Sequence, residues 1–442
     1  MRAVDIIMKK RNGFTLIELL AVIVILAVIL VIAIPRILDV IEESKVNTFK
    51  STAQLIADSA EKKKVSDKLL GKDESITCKD VAKISDEDYK SCTITFDENG
   101  IAKVSISGKG KFKGLKVIEA TKTSIEVIKL EPPKYGIKAV EYINGLYEYD
   151  SDTNNLKIDN TPDANIRYHG LNPNNYVSFN NELWRIIGVF GNNVKLVRKD
   201  MLGSLSWDSS DSTINNGNGI NQWGESTYED GTPYEGADLM LYLNKMYYGG
   251  ETVTCYGGEN NATTTCPTET LNGESKNMIE NYTWNTGGVE GTAKTDTLAF
   301  YQAERGTKTG KICSSGTYCN DTVNRTTTWT GSVALPYATD YAYASSESDC
   351  ETNMQMRDSS NNYICKNNNW MFKPNTRYWT LSPSATSGHS RSVWYVLSVG
   401  GVGDYYAAGG GEVFPAIYLK TDVLIKSGNG SESNPYILRT GA

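Results

Sequence analysis

The sequence predicts an α+β chain: a long N-terminal helix carrying a small antiparallel sheet, followed by a larger α+β domain. Three observations predict it. Residues 14–34 form an apolar run broken only by Thr15 and Glu18. Short alternating runs separated by turn residues follow Cys92, the pattern of an antiparallel meander. Strand signals then return on both sides of one helical stretch between Tyr176 and Ile425. With 442 residues, the chain is too long for one small domain.

The apolar run is long enough to cross a hydrocarbon core as a helix. Ahead of it, Arg2, Lys9, Lys10 and Arg11 stand against Asp5, so the leader is net positive and orients the rest of the chain outward. A secretory signal has a shorter apolar region with a small-residue cleavage site after it. A plain signal anchor leaves Glu18 unexplained, because a carboxylate in a bilayer helix is costly and usually has a partner and a task. Beyond the membrane, Leu38, Ile41, Phe49, Ala53, Ile56 and Ala60 recur at three- and four-residue steps among charged residues. That spacing extends the helix with one apolar stripe to about Lys64, a rod of roughly 75 Å. Pro35 lacks an N–H, so the helix is expected to bend or loosen there.

Gly13-Phe14-Thr15-Leu16-Ile17-Glu18 resembles the processing site of type IV prepilins and pseudopilins. The resemblance implies cleavage after Gly13 by a prepilin peptidase and methylation of Phe14 as the new terminus. It also implies that Glu18 neutralises a neighbouring subunit's terminal ammonium, and that Pro35 falls where pilin helices commonly carry a proline. Implied partners are other pilin subunits and the membrane. The implied location is the bacterial cell membrane before assembly, then the cell surface or an extracellular pilus. Strand-like runs at residues 93–96, 101–107, 115–120 and 124–130 would complete a pilin-like domain. The expected organisation is a leader over 1–13, a pilin-like domain over 14–130 with its membrane span at 14–34, a linker over 131–165, and a second domain over 166–442.

The eight cysteines fall into four local couples: Cys78 and Cys92, Cys255 and Cys266, Cys313 and Cys319, Cys350 and Cys365. Zinc sites favour tight CxxC pairs, and none occurs. In an exported chain, local disulfides pinning long loops are the better reading, with free thiols compatible with the same count. Residues 249–330, rich in Gly, Asn, Thr and Ser, read as such loops.

In the second part, residues 176–179, 183–190 and 194–198 read as strands joined by tight turns. Residues 237–248 read as a helix burying Leu239, Leu243, Met246 and Tyr247. Strands follow at 378–382, 392–399, 413–419 and 423–425. Asn181-Glu182-Leu183-Trp184-Arg185-Ile186-Ile187-Gly188, Tyr378-Trp379-Thr380-Leu381-Ser382-Pro383 and Gly411-Glu412-Val413-Phe414-Pro415-Ala416-Ile417-Tyr418-Leu419 resemble the C-type-lectin-like fold. The likeness is to the branch shared by formylglycine-generating enzymes and the variable proteins of diversity-generating retroelements.

Little chemistry of turnover is visible. The net charge of -7 argues against nucleic-acid partners. No HExxH, Walker loop or dinucleotide fingerprint occurs, and no cofactor or metal is expected. His389, Ser390 and Asp404 form a hydrolase triad only on paper, since Ser390 lacks a GxSxG elbow. Formylglycine-generating enzymes use late active-site cysteines, and none follows Cys365 here. The Glu-Pro-Asn and Trp-Asn-Asp ligand pattern of calcium lectins is also absent.

Residues 384–411 interleave His389, Arg391, Trp394, Tyr395, Asp404, Tyr405 and Tyr406 with Ser, Ala and Gly. Tyrosine among small residues suits a recognition surface, where rigid rings supply area at low entropic cost. Trp394 or Val396 would instead pack in the core, and the tyrosines of the expected glycine-rich loop at 404–406 have packing as an alternative. In retroelement-variable proteins this part of the fold carries ligand-binding residues. The resemblance therefore implies Ser384, Ser387, His389, Ser390, Tyr395, Ser398, Asp404, Tyr405 and Tyr406 as contacts for an extracellular protein or glycan. The expected function is a minor or tip pilin acting as a surface adhesin. A structural pilin or pseudopilin without a ligand, or an anchored formylglycine-generating-type enzyme, are the alternatives.

Overall fold

The computed structural model describes residues 16–72, 75–209, 217–258, 262–291, 296–309, 323–386 and 389–441. The chain divides into two compact units, Met1–Glu131 and Pro132–Ala442.

In the first unit, α1 (Leu16–Leu69) is one 54-residue helix, about 81 Å long at 1.5 Å per residue. It runs past the charged residues at 61–64, because Lys62 and Lys63 find carboxylates one turn away on Asp58 and Asp67. It is also continuous through Pro35, since a proline removes one rung of the ladder without ending the helix. The short α2 (Cys78–Val81) precedes β1 (Tyr89–Phe96), β2 (Ala102–Gly108), β3 (Leu115–Ala120) and β4 (Ile128–Lys129). These strands form an antiparallel meander in the order β1-β2-β3-β4. Phe49, Ala53, Ile56, Ala57 and Ala60 of α1 are fully buried with Ala102, Val104, Ile106, Leu115 and Val117 of the sheet. Leu38 and Ile41 stay exposed, so the expected apolar stripe is covered only from Phe49 onward.

The second unit begins earlier than expected. The stretch read as a linker holds α3 (Ala139–Asp150) and β5 (Leu156–Ile158), whose Ala139, Tyr142, Ile143 and Leu156 lie inside the second core. Tyr142 and its neighbours supply the apolar face that a linker lacks, which is the reason the segment folds. Then come β6 (Ile166–Tyr168), β7 (Tyr176–Phe179), β8 (Glu182–Phe190), β9 (Asn193–Arg198) and β10 (Ser204–Ser206). The β7–β8 turn places Asn180 and Asn181 at φ 58 and 59°, a conformation asparagine tolerates better than most residues.

Among the described residues, the middle of the unit holds several short elements between its loops. It holds the small pairs β11 (Ser226–Thr227) with β12 (Pro233–Tyr234), and β13 (Cys255–Tyr256) with β14 (Thr263–Thr264). The helix α4 (Asp238–Leu241) continues as wider π turns to Tyr248, burying Leu239, Leu243 and Tyr247 while Met246 is only partly covered. After α5 (Gly273–Met278), β15 (Tyr282–Asn285) pairs across α6 (Thr297–Glu304) with β16 (Thr328–Gly331). Next come α7 (Ala338–Tyr343) and α8 (Ser348–Thr352).

The late strands are β17 (Tyr378–Pro383), β18 (Ser392–Val396), β19 (Val402–Tyr406), β20 (Gly410–Glu412), β21 (Ala416–Tyr418), β22 (Leu424–Ser427) and β23 (Tyr436–Arg439). Two sheets organise the unit. The larger has the path β21-β9-β8-β7-β23-β22, with β6 added on β8 and β5 on β6. Here β23, at the chain's end, lies parallel to β7. The smaller runs β10-β20-β17-β18-β19 and leaves β19 on its edge. Trp184, Trp207, Trp223, Trp284 and Trp379 are all nearly fully buried, so these five tryptophans belong to the core, not to a recognition surface. Disulfides join Cys78 to Cys92, Cys255 to Cys266 and Cys350 to Cys365. Cys313 and Cys319 lie outside the described residues.

Candidate functional site

The candidate contacts gather at the β18–β19 end of the smaller sheet. The two strands pair in antiparallel register, Trp394 opposite Asp404 and Val393 opposite Tyr405. Asp404, Tyr405 and Tyr406 therefore sit on an edge strand, not in a loop as expected. Gly403 lies opposite Tyr395 in this register, and the Leu397 side chain covers the space a Cβ there would enter, at 3.6 Å. The turn between the strands closes with Gly400 N–H on the Leu397 carbonyl, which places Ser398 at the hairpin tip.

His389 Nδ1 lies 2.8 Å from Asp404 Oδ2, with side-chain exposures of 41% and 29%. This contact holds the imidazole ring in place beside the carboxylate. Tyr395, Tyr405 and Tyr406 are half-buried. Their rings form a chain, Tyr395 to Tyr405 at 5.8 Å and Tyr405 to Tyr406 at 5.6 Å. Trp379 backs Tyr395 at 5.9 Å, and the Arg391 guanidinium lies 4.8 Å from the Tyr406 ring centre. Burial pushes the Tyr395 hydroxyl above the ordinary tyrosine value, so it stays a neutral donor.

Two expected contacts are corrected. Ser384 is fully buried and Ser390 is 1% exposed, so neither presents a hydroxyl to a ligand. Their backbone carbonyls instead anchor the connection from β17 to β18. Ser384 lies just past β17, and its amide donates to the Ser392 carbonyl at 3.0 Å. Burial also removes Ser390 from any nucleophilic role beside His389. Ser387 lies outside the described residues. Trp394 is 6% exposed and meets Phe300 edge to face, with ring centres 5.2 Å apart, a core residue as one of the two readings held.

Sequence reasoning missed Asn221. This buried side chain donates to the carbonyls of Ser384 (2.9 Å), His389 (3.2 Å) and Ser392 (2.6 Å). Arg325 in turn donates to the Asn221 amide oxygen and to the Ser390 carbonyl. Asn221 thus clamps the segment that carries His389. It sits in an asparagine- and glycine-rich stretch, which gives no local signal of such a role. Among the described residues, no group of three or more His, Cys, Asp or Glu is placed to hold a metal ion.

A family model for the prokaryotic N-terminal methylation motif matches residues 8–34. The N-terminus is type IV pilin-like. No curated protein and no solved structure was found to match the chain. The pilin-like helix α1 is long and apolar enough to cross a membrane, and its N-terminal half, from Leu16 to Ile41, exposes its large apolar side chains. The motif and this helix support membrane association and assembly with other pilins. Gly13 and Phe14 lie outside the described residues, while Glu18 and Pro35 lie within the pilin-like helix.

Proposed function

We propose that the chain is a minor or tip pilin that displays its second unit as a surface adhesin. Cleavage after Gly13, methylation of Phe14 and pairing of Glu18 with a neighbouring subunit's terminus serve assembly. His389, Tyr395, Ser398, Asp404, Tyr405 and Tyr406 serve non-covalent recognition of an extracellular protein or glycan. The observation that carries this reading is the half-exposed His389–Asp404 and tyrosine array on an open strand edge. Rings supply contact area, the carboxylate and imidazole supply direction, and the edge offers backbone groups for strand addition. A C-type-lectin-like shape is part of the proposal. It is supported by the large sheet that brings β23 beside β7, with the late hairpin projecting from the smaller sheet.

A structural pilin without a ligand is the second reading. It is favoured by Tyr405, whose ring packs so closely over Gly409 that a Cβ there would sit 2.2 Å from it. The test is binding of the full chain, in detergent, to arrays of glycans and surface proteins, beside Tyr405→Ala/Tyr406→Ala. Specific binding lost in the variant, with filaments still assembled, is the expected result. A folded protein that binds nothing on either array returns the structural pilin.

A further inference from the structure

On the second unit, away from the residues just assigned, a cleft of about 460 Å³ opens between the loop before β6, the end of β8, the strand β15 and the helix α6. Its size falls within the roughly 300–1,000 Å³ of small-molecule sites. Its wall carries Asp163, Asn165, Tyr282, Asn285, Tyr301 and Arg305. None of these was singled out in the sequence, and none belongs to the adhesive edge.

The polar groups are held from behind. Asp159 accepts hydrogen bonds from the Thr161 hydroxyl and from the backbone and side-chain amides of Asn165, which pins the loop bearing Asp163. Asp159 is itself paired with Arg167 at 2.5 Å, and Arg167 with Asp340 at 2.8 Å, all nearly inaccessible to solvent. Asn165 donates to the Tyr301 hydroxyl at 3.0 Å, and that hydroxyl donates to Asp163 Oδ2 at 2.5 Å. Burial pushes the Tyr301 hydroxyl up to about 12, so it keeps its proton for that bond. Arg305 lies over the Tyr301 ring, 3.3 Å from its centre. Tyr282 is stacked at 3.7 Å on Tyr418, which leans on Trp284 at 4.7 Å, so a rigid aromatic pile stands behind it.

Three groups remain open toward a ligand. Among the described residues, Asp163 Oδ1, the side-chain amide of Asn285 and Arg305 Nη2 make no hydrogen bond. They amount to an acceptor, a mixed donor–acceptor and a donor, beside a tyrosine face. The charges then decide the class. Arg305 is already matched by Glu304 at 3.4 Å and by Asp163 at 4.0 Å, so the cleft holds no surplus positive charge for an anion. A cation would meet Arg305. A purely apolar molecule would strand the open polar groups, which is costly once they are desolvated. A neutral molecule with several hydroxyls and one C–H face meets all these conditions, the polarised C–H groups resting on the negative face of a ring.

We propose that this cleft is a second binding site, specific for neutral sugar units of one to two rings. Such a site would let the displayed unit hold a saccharide independently of the β18–β19 edge.

The test uses the full chain in a sugar-free zwitterionic detergent. Methyl glycosides of glucose, galactose, mannose and N-acetylglucosamine, with cellobiose and lactose, are titrated by saturation-transfer NMR and calorimetry. At least one is expected to bind, and to weaken at least ten-fold in Asp163→Ala and Asn285→Ala. Asp163 is 58% exposed, so its truncation spares the core, and unchanged thermal melting checks this for both variants. Tyr405→Ala/Tyr406→Ala is expected to leave this affinity unchanged. The proposal is overturned if the folded protein binds none of these sugars, or if both cleft variants bind as well as the parent. It is overturned equally if only the Tyr405/Tyr406 variant loses sugar binding, a result that would place the sugar on the adhesive edge instead.

Discussion

Asp340 shows how much one residue can hold. It takes Lys195 at 2.5 Å and Arg167 at 2.8 Å, with all three side chains almost wholly removed from water. Burial alone would raise its pKa, but Lys195 and Arg167 outweigh that and hold the carboxylate at about 2. Asp340→Ala leaves two buried cations short of a partner and is expected to destabilise the second unit by about 3–5 kcal/mol, read from urea unfolding. Lys62→Ala, at an exposed pair on α1, is expected to change stability by less than about 1 kcal/mol. Two neighbouring buried carboxyls behave in the opposite sense. Asp208 accepts the backbone amides of Ile220 and Asp238, and Asp238 accepts that of Ser209. Burial raises both carboxyls, Asp238 to about 6. The folded state therefore binds more protons than the unfolded chain between the ordinary aspartate value and about 6. Stability from this group is fully present below that window and is lost as pH rises through it. Asp238→Asn should gain stability relative to the parent as pH is raised from 4 to 7; a pH-independent difference in unfolding midpoints contradicts this.

At the scale of elements, local covalent and backbone constraints can be tested one at a time. The Cys78–Cys92 bridge closes a short loop that ties α2 to β1. Replacing both cysteines by serine is expected to destabilise the first unit by roughly 3 kcal/mol, measured by denaturant unfolding. Gly188 lies where β8 passes β6, and a Cβ there would stand 2.2 Å from the Ile166 carbonyl oxygen. Gly188→Ala must push the two strands apart, at an expected loss of about 1–3 kcal/mol. Asn221→Ala removes three hydrogen bonds from the connection between β17 and β18. Amide exchange at residues 384–392 should then accelerate, with that in β7–β9 unchanged. These elements differ in how legible they were. The β1–β4 meander and the β7–β8–β9 run follow from alternation and turn residues. The helix α3 reads as connector in the sequence because Pro132-Pro133 marks a break just ahead of it, while its apolar face is covered only in the folded unit. Asp404-Tyr405-Tyr406 reads as loop in the sequence because glycines flank it, and only pairing with β18 makes it a strand.

For the whole molecule, two compact units with separate cores predict two unfolding transitions in calorimetry of the full chain. The Cys78/Cys92 serine variant should lower one transition and leave the other in place. A single cooperative transition in both proteins would mean that the units unfold as one. By itself the sequence determined what depends on neighbours along the chain. The apolar run, the prepilin-like motif and the amphipathic continuation of α1 are legible because helix period and membrane length are local properties. The late segment could also be read as chemically unusual, from its composition alone. Only the tertiary structure decided which of its residues face solvent. Ser384 and Ser390 are buried, their carbonyls accepting from an asparagine more than 160 positions away, while His389 and Asp404 meet across a hairpin. The Asp163–Tyr301–Arg305 cleft draws on segments separated by more than a hundred residues. Burial and charge pairing are properties of that assembled packing, and no window of sequence contains them.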